Sequence, residues 1–404
     1  MKKSKPPAPG DRSARLAQIR NLKMAQSAHA YVRGSTTKFY EWHGMLERGA
    51  APAGPPVWIC GDCHVGNLGP VANASGRIEI QIRDLDQTVI GNPAHDLLRL
   101  SLSLASAARG SDLPGVTTAK MLEAVMEGYE LAFAPDFHED DDVAQPASVH
   151  AIVQKAAKAS WATLAEERIE DASPAIPLGQ RFWPVSAIER REIKKLFAGA
   201  EMHRLATMLS SRDDAAEVEL LDVAYWMKGC SSLGRLRYAA LLQVAGKKAK
   251  RASYCLMDLK EAVHAAAPVA PGAKMPAANA ERVVEGARHL APFLGKRMRA
   301  VRLLDKGLVV RELLPQDLKL EIDSLTRTEA VKVARYLAAI VGKAHSRQMD
   351  VAARAEWQRD LKRNRGKSLD APAWLWSAVV ELLGVHERAY LDHCRQFALD
   401  RAQG

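Results

Sequence analysis

A block of β-type sequence lies between two helical blocks in this chain, and no linker is long enough to let either fold apart from the other. Residues 219–262 read mostly as strand. Leu221 to Met227, Leu236 to Val244 and Ser253 to Leu259 are apolar runs bounded by turn residues. Arg299 to Leu304 and Leu308 to Leu314 are two more, joined by the turn Asp305-Lys306-Gly307. Helical spacing dominates elsewhere. It predicts helices over about 13–29, from Asp96 onward, and over 117–133, 144–170, 187–210, 279–291, 326–347 and 373–399, with Pro174, Pro177 and Pro184 as interruptions. The expectation is an α+β fold in two lobes. Residues 1–12 form a disordered basic tail, 13–210 and 319–404 a larger helical lobe, and 211–318 a small, mostly antiparallel sheet lobe.

Composition narrows the function classes. With 404 residues, 48% hydrophobic and 26% charged, the chain matches an ordinary globular protein and neither a collagen-like nor a disordered one. No apolar run reaches the roughly 18 to 20 residues that cross a bilayer. Met1 to Arg12 is basic and Pro-rich without the apolar core of a secretory signal, so the expected location is the cytoplasm. Five scattered cysteines argue against a disulfide framework. Cys60-x-x-Cys63 has the spacing of half a zinc site, but no second pair completes it. A net charge of +10 and a pI near 9.3 suit an anionic partner. Aromatics are 6% and not interleaved with basic residues, and no specific nucleic-acid motif is present.

The chemistry-bearing residues fall into two clusters. Val57-Trp58-Ile59-Cys60 reads as a buried strand that runs into Gly61-Asp62-Cys63-His64-Val65-Gly66-Asn67. The next strand, Arg77 to Ile82, alternates with period two and ends in Asp84-Leu85-Asp86. Three carboxylates and an amide at strand ends form an oxygen-rich site suited to Mg²⁺. Asp62 and Asn67 stand five residues apart, the spacing of the catalytic Asp and metal-binding Asn in kinase catalytic loops. Asp and Asn are also ordinary turn residues, so the following Asp84-x-Asp86 carries much of the weight.

The second cluster is Gly229-Cys230-Ser231-Ser232-Leu233-Gly234, a G-x-G-x-x-G loop with Ser231 in place of the middle Gly. Between two strands it can lay backbone N–H groups over phosphates. Lys260 ends a strand further on, and a helix carrying Glu281 and Glu285 follows. A strand lysine paired with a helix glutamate is how kinases hold the α- and β-phosphates. Val310 to Pro315, with Glu312 and Leu314, stands where a hinge contacts the nucleotide. The two clusters occur in the reverse of kinase order, which a circular permutation resolves.

With these residues in view, the chain resembles the bacterial domain-of-unknown-function 2252 family. The resemblance rests on Tyr31 to Gly34, Gly61 to Gly69, Arg83 to Gln87, Asp96 to Leu100, Gly229 to Gly234, Leu259 to Ala262, Arg282 to Gly286, Val310 to Leu313 and Lys343 to Ser346. That family looks related to the aminoglycoside phosphotransferase and choline kinase branch of the protein-kinase-like fold. The resemblance implies a Gly-Asp-x-x-x-x-Asn loop and a following Asp, here Asp62, Asn67 and Asp84. Departures are Ser231, Cys60 where such kinases often have His, and Asp86 in place of a D-F-G glycine pattern.

The leading expectation is an ATP- and Mg²⁺-dependent phosphotransferase acting on an unidentified hydroxyl acceptor, for which the basic charge suggests an anion. Asp62 would orient or deprotonate the acceptor. Asn67 and Asp84 would hold metal, with Asp86 as a further ligand. Lys260 would contact the phosphates under the backbone of Gly229 to Gly234, including Ser231 and Ser232, with Glu285, or Glu281 in another helix register, positioning it. His64 and Asp96 read as residues that pack and buttress the loop. Acceptor contacts are expected from 117–210 and 350–400. One alternative is a metal-dependent phosphohydrolase using Asp62, His64, Asp84, Asp86 and His95. The other is a non-catalytic kinase-like nucleotide-binding or scaffold protein.

Overall fold

The computed structural model describes residues 7–45, 51–111, 113–137, 143–158, 175–228, 233–245, 253–314, 325–362 and 372–397. Three helices come first: α1 (Arg12–Met24), α2 (Ala28–Gly34) and α3 (Thr36–Met45). Four short strands follow, β1 (Val57–Ile59), β2 (Leu68–Ala72), β3 (Ile78–Ile82) and β4 (Val89–Gly91), then α4 (Ala94–Gly110), α5 (Gly115–Leu131) and α6 (Ala147–Lys158). Next come β5 (Phe182–Trp183), α7 (Ala187–Phe197), α8 (Ala200–Thr207), β6 (Glu217–Trp226), β7 (Arg237–Ala245) and β8 (Ser253–Glu261). The remainder is α9 (Asn279–Leu290), α10 (Pro292–Lys296), β9 (Met298–Leu303), β10 (Lys306–Leu313), α11 (Arg327–Ser346), α12 (Val351–Lys362) and α13 (Ala373–Phe397). The architecture is mixed α+β. Among the described residues no helix is long and apolar enough to cross a membrane.

The main sheet has six strands in the order β5-β6-β7-β8-β10-β9, and every neighbouring pair is antiparallel. Its pleat separates two kinds of residue. Tyr238, Leu242, Met257, Leu259, Leu308 and Val310 point to one face. There they meet Ile193 and Phe197 of α7, Met202 and Leu205 of α8, and Leu16 of α1. The alternate positions pair Arg237 with Lys260, Lys260 with Val309, and Asp258 with Arg311. Here this second face is charged and meets Asp84 and Asp86, while further along it carries an apolar cluster of Phe182, Ala224, Trp226, Ala239 and Leu241.

The helical body has its own apolar core, to which α4, α5, α11 and α13 all contribute. Helix α4 is buried along nearly its whole length, from Ala94 to Ala108. Helices α5 and α11 cross at very close range: a Cβ added at Gly128 would lie 1.9 Å from the Arg335 carbonyl oxygen. Beside these helices, β1 pairs with β4 and β2 with β3, as two small antiparallel ladders.

Several expectations are corrected here. The helix expected over 13–29 is two helices, because the Ser27 side chain accepts from Ala30 N and caps α2 afresh. The one expected over 187–210 breaks at Gly199, the N-cap of α8. Helices α7 and α8 pack on the sheet, so the boundary drawn at 210 falls too late: their apolar residues cover a sheet face that would otherwise be wet. Arg12, assigned to the tail, is the first residue of α1. It is buried, and its guanidinium meets both Glu189 oxygens at 2.7 and 3.1 Å. The β9–β10 turn is Leu304-Asp305, with φ of +50° and +60°, the two-residue left-handed form that matches strand twist. Residues 1–6, and 159–170 of the helix expected to reach 170, lie outside the described residues.

The α5–α11 crossing yields a stability test. Gly128→Ala sets a methyl against backbone that no side-chain rotation can clear, so the helices must separate. A loss of about 1–3 kcal/mol or more is expected in urea unfolding. An unchanged midpoint would show that the crossing is looser than described.

Candidate functional site

Strand β1 delivers the chain into a sharp turn at Gly61, where φ is +72° and a Cβ would lie 2.2 Å from the Gln87 carbonyl oxygen. Only glycine meets both conditions. The turn is held by Asp96, from the first turn of α4. Its carboxylate accepts from Cys60 N at 2.7 Å and Gly61 N at 2.9 Å. One Asp96 oxygen also lies 3.1 Å from His345 Nε2 on α11. His345 Nδ1 is 2.9 Å from the Tyr129 hydroxyl, which accepts from Trp357 Nε1 at 3.1 Å. Asp96, His345, Tyr129 and Trp357 are all fully buried. The expected buttress role of Asp96 is therefore visible in the geometry.

Asp62 follows the turn and is itself buried. Its Oδ1 accepts from Arg99 Nε at 2.8 Å, and Thr36 adds a hydrogen bond to the same carboxylate. Burial pushes the Asp62 carboxyl above its ordinary range. Arg99 and Thr36 oppose that rise, and the negative charge of Asp84 adds to it. His64 Nε2 lies 4.0 Å from Asp62 Oδ2. Burial, with Arg33 and Arg99 nearby, holds His64 well below the usual imidazole range, so it is a neutral packing residue. Asn67 donates its amide to the Asp62 carbonyl at 2.9 Å, which leaves its side-chain oxygen to accept or ligate.

Asp84 and Asp86 follow β3 and meet Lys260, which projects from the charged face of the sheet. Lys260 Nζ is 3.0 Å from each Asp84 oxygen and 2.6 Å from Asp86 Oδ2. Burial alone would raise both carboxyls. Lys260, Arg311 and Arg237 more than offset it at Asp84 and hold that group well below the carboxylate range. At Asp86, burial and the Asp84 charge prevail and the carboxyl is raised. Arg235 stands 3.7 Å from Asp86 Oδ2. Arg237, directly opposite Lys260, is engaged by Asp258 through bonds of 2.8 and 2.6 Å, so the two cations keep separate partners.

Other expected residues lie elsewhere. Glu285 does not pair with Lys260; it meets Arg288 at 2.9 Å and His289 at 3.4 Å. Helical phase is the reason. The buried side of α9 carries Arg282, Val283 and Gly286, while Glu281 is exposed and Glu285 half-buried on the other side. Glu312 falls on the sheet face opposite Lys260, where Arg212 binds both its oxygens at 2.9 and 2.8 Å. Leu314 is buried just past β10. Gly229, Cys230, Ser231 and Ser232 lie outside the described residues; Gly234, with φ +100°, begins the approach to β7. His95 lies against His43, with ring centroids 4.1 Å apart, and burial pushes it down to about 3. Among the described residues, one group of three metal-type side chains comes together: Cys60, Cys63 and Asp96. The Asp96 carboxylate is already engaged by two backbone amides and His345, and the hydrogen bond between Cys60 and Cys63, with burial, raises the Cys60 thiol.

Three arginines escaped sequence reasoning. Arg99 binds Asp62 and donates to the Val32 carbonyl at 2.6 Å. Arg282 ties α9 to the Asp86 carbonyl at 3.1 Å, the Val263 carbonyl at 2.8 Å and the Thr88 carbonyl. Arg311 donates to the Arg83 carbonyl at 2.9 Å. Of the three, Arg99 stands in an otherwise apolar stretch, Leu97 to Leu100, the one local hint of a buried cation with a fixed partner.

A family model described as "Uncharacterized protein conserved in bacteria (DUF2252)" matches residues 12–396. Neither the curated proteins nor the solved structures contain a match to the chain. The matched span takes in the Gly61 turn, the Asp96 buttress, Asp84, Asp86 and Lys260, and the chain belongs to the DUF2252 family.

Proposed function

We propose that this protein is a Mg²⁺- and ATP-dependent phosphotransferase on a circularly permuted, two-lobed protein-kinase-like fold, acting on a hydroxyl acceptor. The observation that carries the reading is Lys260 on β8, whose ammonium contacts Asp84 and Asp86 at 2.6–3.0 Å. It joins the two clusters, far apart in sequence, into one site. A sheet lysine beside a carboxylate able to hold metal, with a separate buried Asp alongside, matches part of the arrangement used in phosphoryl transfer, Asp84 and Asp86 standing where the helix glutamate does not reach. The β6–β7 pair lies beside β8, in the same sheet that carries Lys260. His393 Nε2 of α13 lies 2.8 Å from the Asn21 carbonyl of α1, so the first and last long helices touch, as a permuted chain needs.

The donor set suits a hard cation. Asp84, Asp86 and the Asn67 side-chain oxygen are all oxygen donors, and the two carboxylates already hold one positive charge between them. Mg²⁺ held there would neutralise charge on the transferred phosphoryl group. Asp62 accepts the acceptor's hydroxyl proton, and burial raises its basicity for that task. Arg99 fixes its orientation, and the Asp96 buttress fixes the backbone that presents it. Lys260 contacts the α- and β-phosphates, oriented by Asp84 and Asp86 in place of a helix glutamate. The phosphohydrolase reading has less support, because it gives Lys260 no role and includes His95, which packs on His43.

The first test is thermal melting with Mg²⁺ alone and with Mg²⁺ plus ATP, each variant compared with its own ligand-free melt. Millimolar ATP should raise the wild-type melting temperature by several degrees. Lys260→Ala and Asp84→Ala should each remove the shift. No shift in folded wild-type protein would sink the nucleotide reading.

The second test addresses Asp62. Asp62→Asn should slow phosphoryl transfer to water, read as ADP release, by about 10²- to 10⁴-fold while the ATP-induced melting shift survives. The base must be ionised to act and its pKa is raised. The acid limb of the wild-type rate profile should therefore lie above the ordinary carboxylate range. A limb at or below that range would remove Asp62 as the base. Nucleotide binding without turnover, insensitive to Asp62, would favour the non-catalytic reading.

A further inference from the structure

A cavity of about 700 Å³ opens beside the Asp62 loop, walled by α1, α2, α3, the segment after β8 and the end of α13. Two of its lining residues touch the site directly. Thr36 hydrogen-bonds the Asp62 carboxylate, and Arg235 stands 3.7 Å from Asp86. The cavity therefore ends against the groups that flank both carboxylates. Lys260 and Asp84 line a different, much smaller cleft, with Val283, Met298 and Val309.

The charge of the larger cavity is one-sided. Arg20, Lys38 and Arg235 line it, against the single carboxylate of Glu41. Glu41 is itself 3.1 Å from Lys38. Asp86, the carboxylate nearest Arg235, already has Lys260 at 2.6 Å. Three cations and one carboxylate among the lining residues make the wall net basic, which suits a phosphate monoester carrying roughly −1.5 to −2 at neutral pH. A polycationic acceptor would meet repulsion in the same space. Of the segments expected to supply acceptor contacts, 350–400 contributes His393 and Phe397, and 117–210 contributes nothing among the described residues.

We propose that this cavity receives the acceptor, and that the acceptor is a small hydroxyl compound bearing a phosphate ester. Arg20, Lys38 and Arg235 hold the ester, and the hydroxyl turns toward Asp62. The word acceptor rests on the phosphotransferase reading; the phosphate site does not. In the transfer, the bond from the acceptor oxygen to the γ-phosphorus forms as the bond to the β,γ-bridging oxygen breaks. The hydroxyl proton passes to the Asp62 carboxylate, and ADP leaves with the electron pair.

The test is titration of the full-length protein with inorganic phosphate at constant ionic strength, followed by calorimetry, with and without Mg²⁺ plus ATP. Arg20→Gln and Lys38→Gln, singly and together, alter partly exposed helix side chains, and ligand-free melts verify the fold. Wild type should bind phosphate saturably, and saturating ATP should leave that binding in place. The double variant should bind about tenfold more weakly. Absence of saturable binding, binding unchanged in the double variant, or displacement of phosphate by ATP would each overturn the proposal. The two readings fail separately. Phosphate binding without an ATP-induced melting shift removes the nucleotide and leaves the phosphate site, whereas an ATP shift without phosphate binding does the reverse.

Discussion

The carboxylate of Asp96 has no exposure to solvent, and a buried charge of that kind persists only where its lone pairs are met. Two backbone amides of the β1 turn and one imidazole meet them. Through His345, Tyr129 and Trp357 the same network runs from α4 through α11 and α5 to α12. The turn that presents Asp62 is thus fixed by helices distant in the chain as well as by the loop's own glycine. The left-handed backbone of Gly61, pressed against the Gln87 carbonyl, completes that fixation from the other side. Loosening any member of the network leaves a polar group stranded in an apolar core, so the turn and the core stand or fall together.

The second constraint is the pleat of the sheet. Period-two alternation places Arg237, Asp258, Lys260 and Arg311 on one face and leaves the other for Met257, Leu259 and Val310. Arg237 and Lys260 are direct cross-strand neighbours of like charge, an arrangement that costs stability unless each has its own counterion. Asp258 takes Arg237, and Asp84 with Asp86 take Lys260. The sheet is thereby anchored to the helical body by charge as well as by α9. Two carboxylates sharing one ammonium titrate as a set. The lysine keeps Asp84 ionised, while proximity to Asp84 pushes Asp86 upward.

What the sequence made legible follows the range of the physics involved. The five longer sheet strands, β1, β3 and the helices from 327 to 346 and 373 to 397 are written in local periodicity, and they stand close to where that periodicity places them. Asp62, Asn67, Asp84, Asp86 and Lys260 drew notice because they stand at strand ends; Lys260 meets Asp84 and Asp86, and Asn67 meets the Asp62 carbonyl. The partner of Lys260 was not, because helical phase turns Glu285 away and a contact from another element takes its place. Glu312 failed for a parity reason: one residue's offset from Arg311 sends it to the opposite face. Strands β2 and β4 contain Gly69-Pro70 and run into Asn92-Pro93, turn residues that mask a strand stabilised only by its neighbour. The partners of Arg99 and Arg282 were illegible because a buried arginine is defined by the carboxylates and carbonyls that fold around it.

The division of labour along the chain has a consequence for how such a site can change. The carboxylates and the lysine of the central cluster come from the loop after β1, the end of β3 and β8, each locked by the Asp96 network or by the sheet register. The wall of the large cavity comes instead from α1–α3 and the end of α13. Arg20 is exposed there and Lys38 half-buried beside Glu41. Exposed cationic positions on a peripheral wall can be exchanged at little cost to folding, whereas Asp96, Arg99 and Lys260 cannot. The charge of the cavity is therefore the part of the site that substitution can alter most freely, and the carboxylate–lysine centre the part it can alter least.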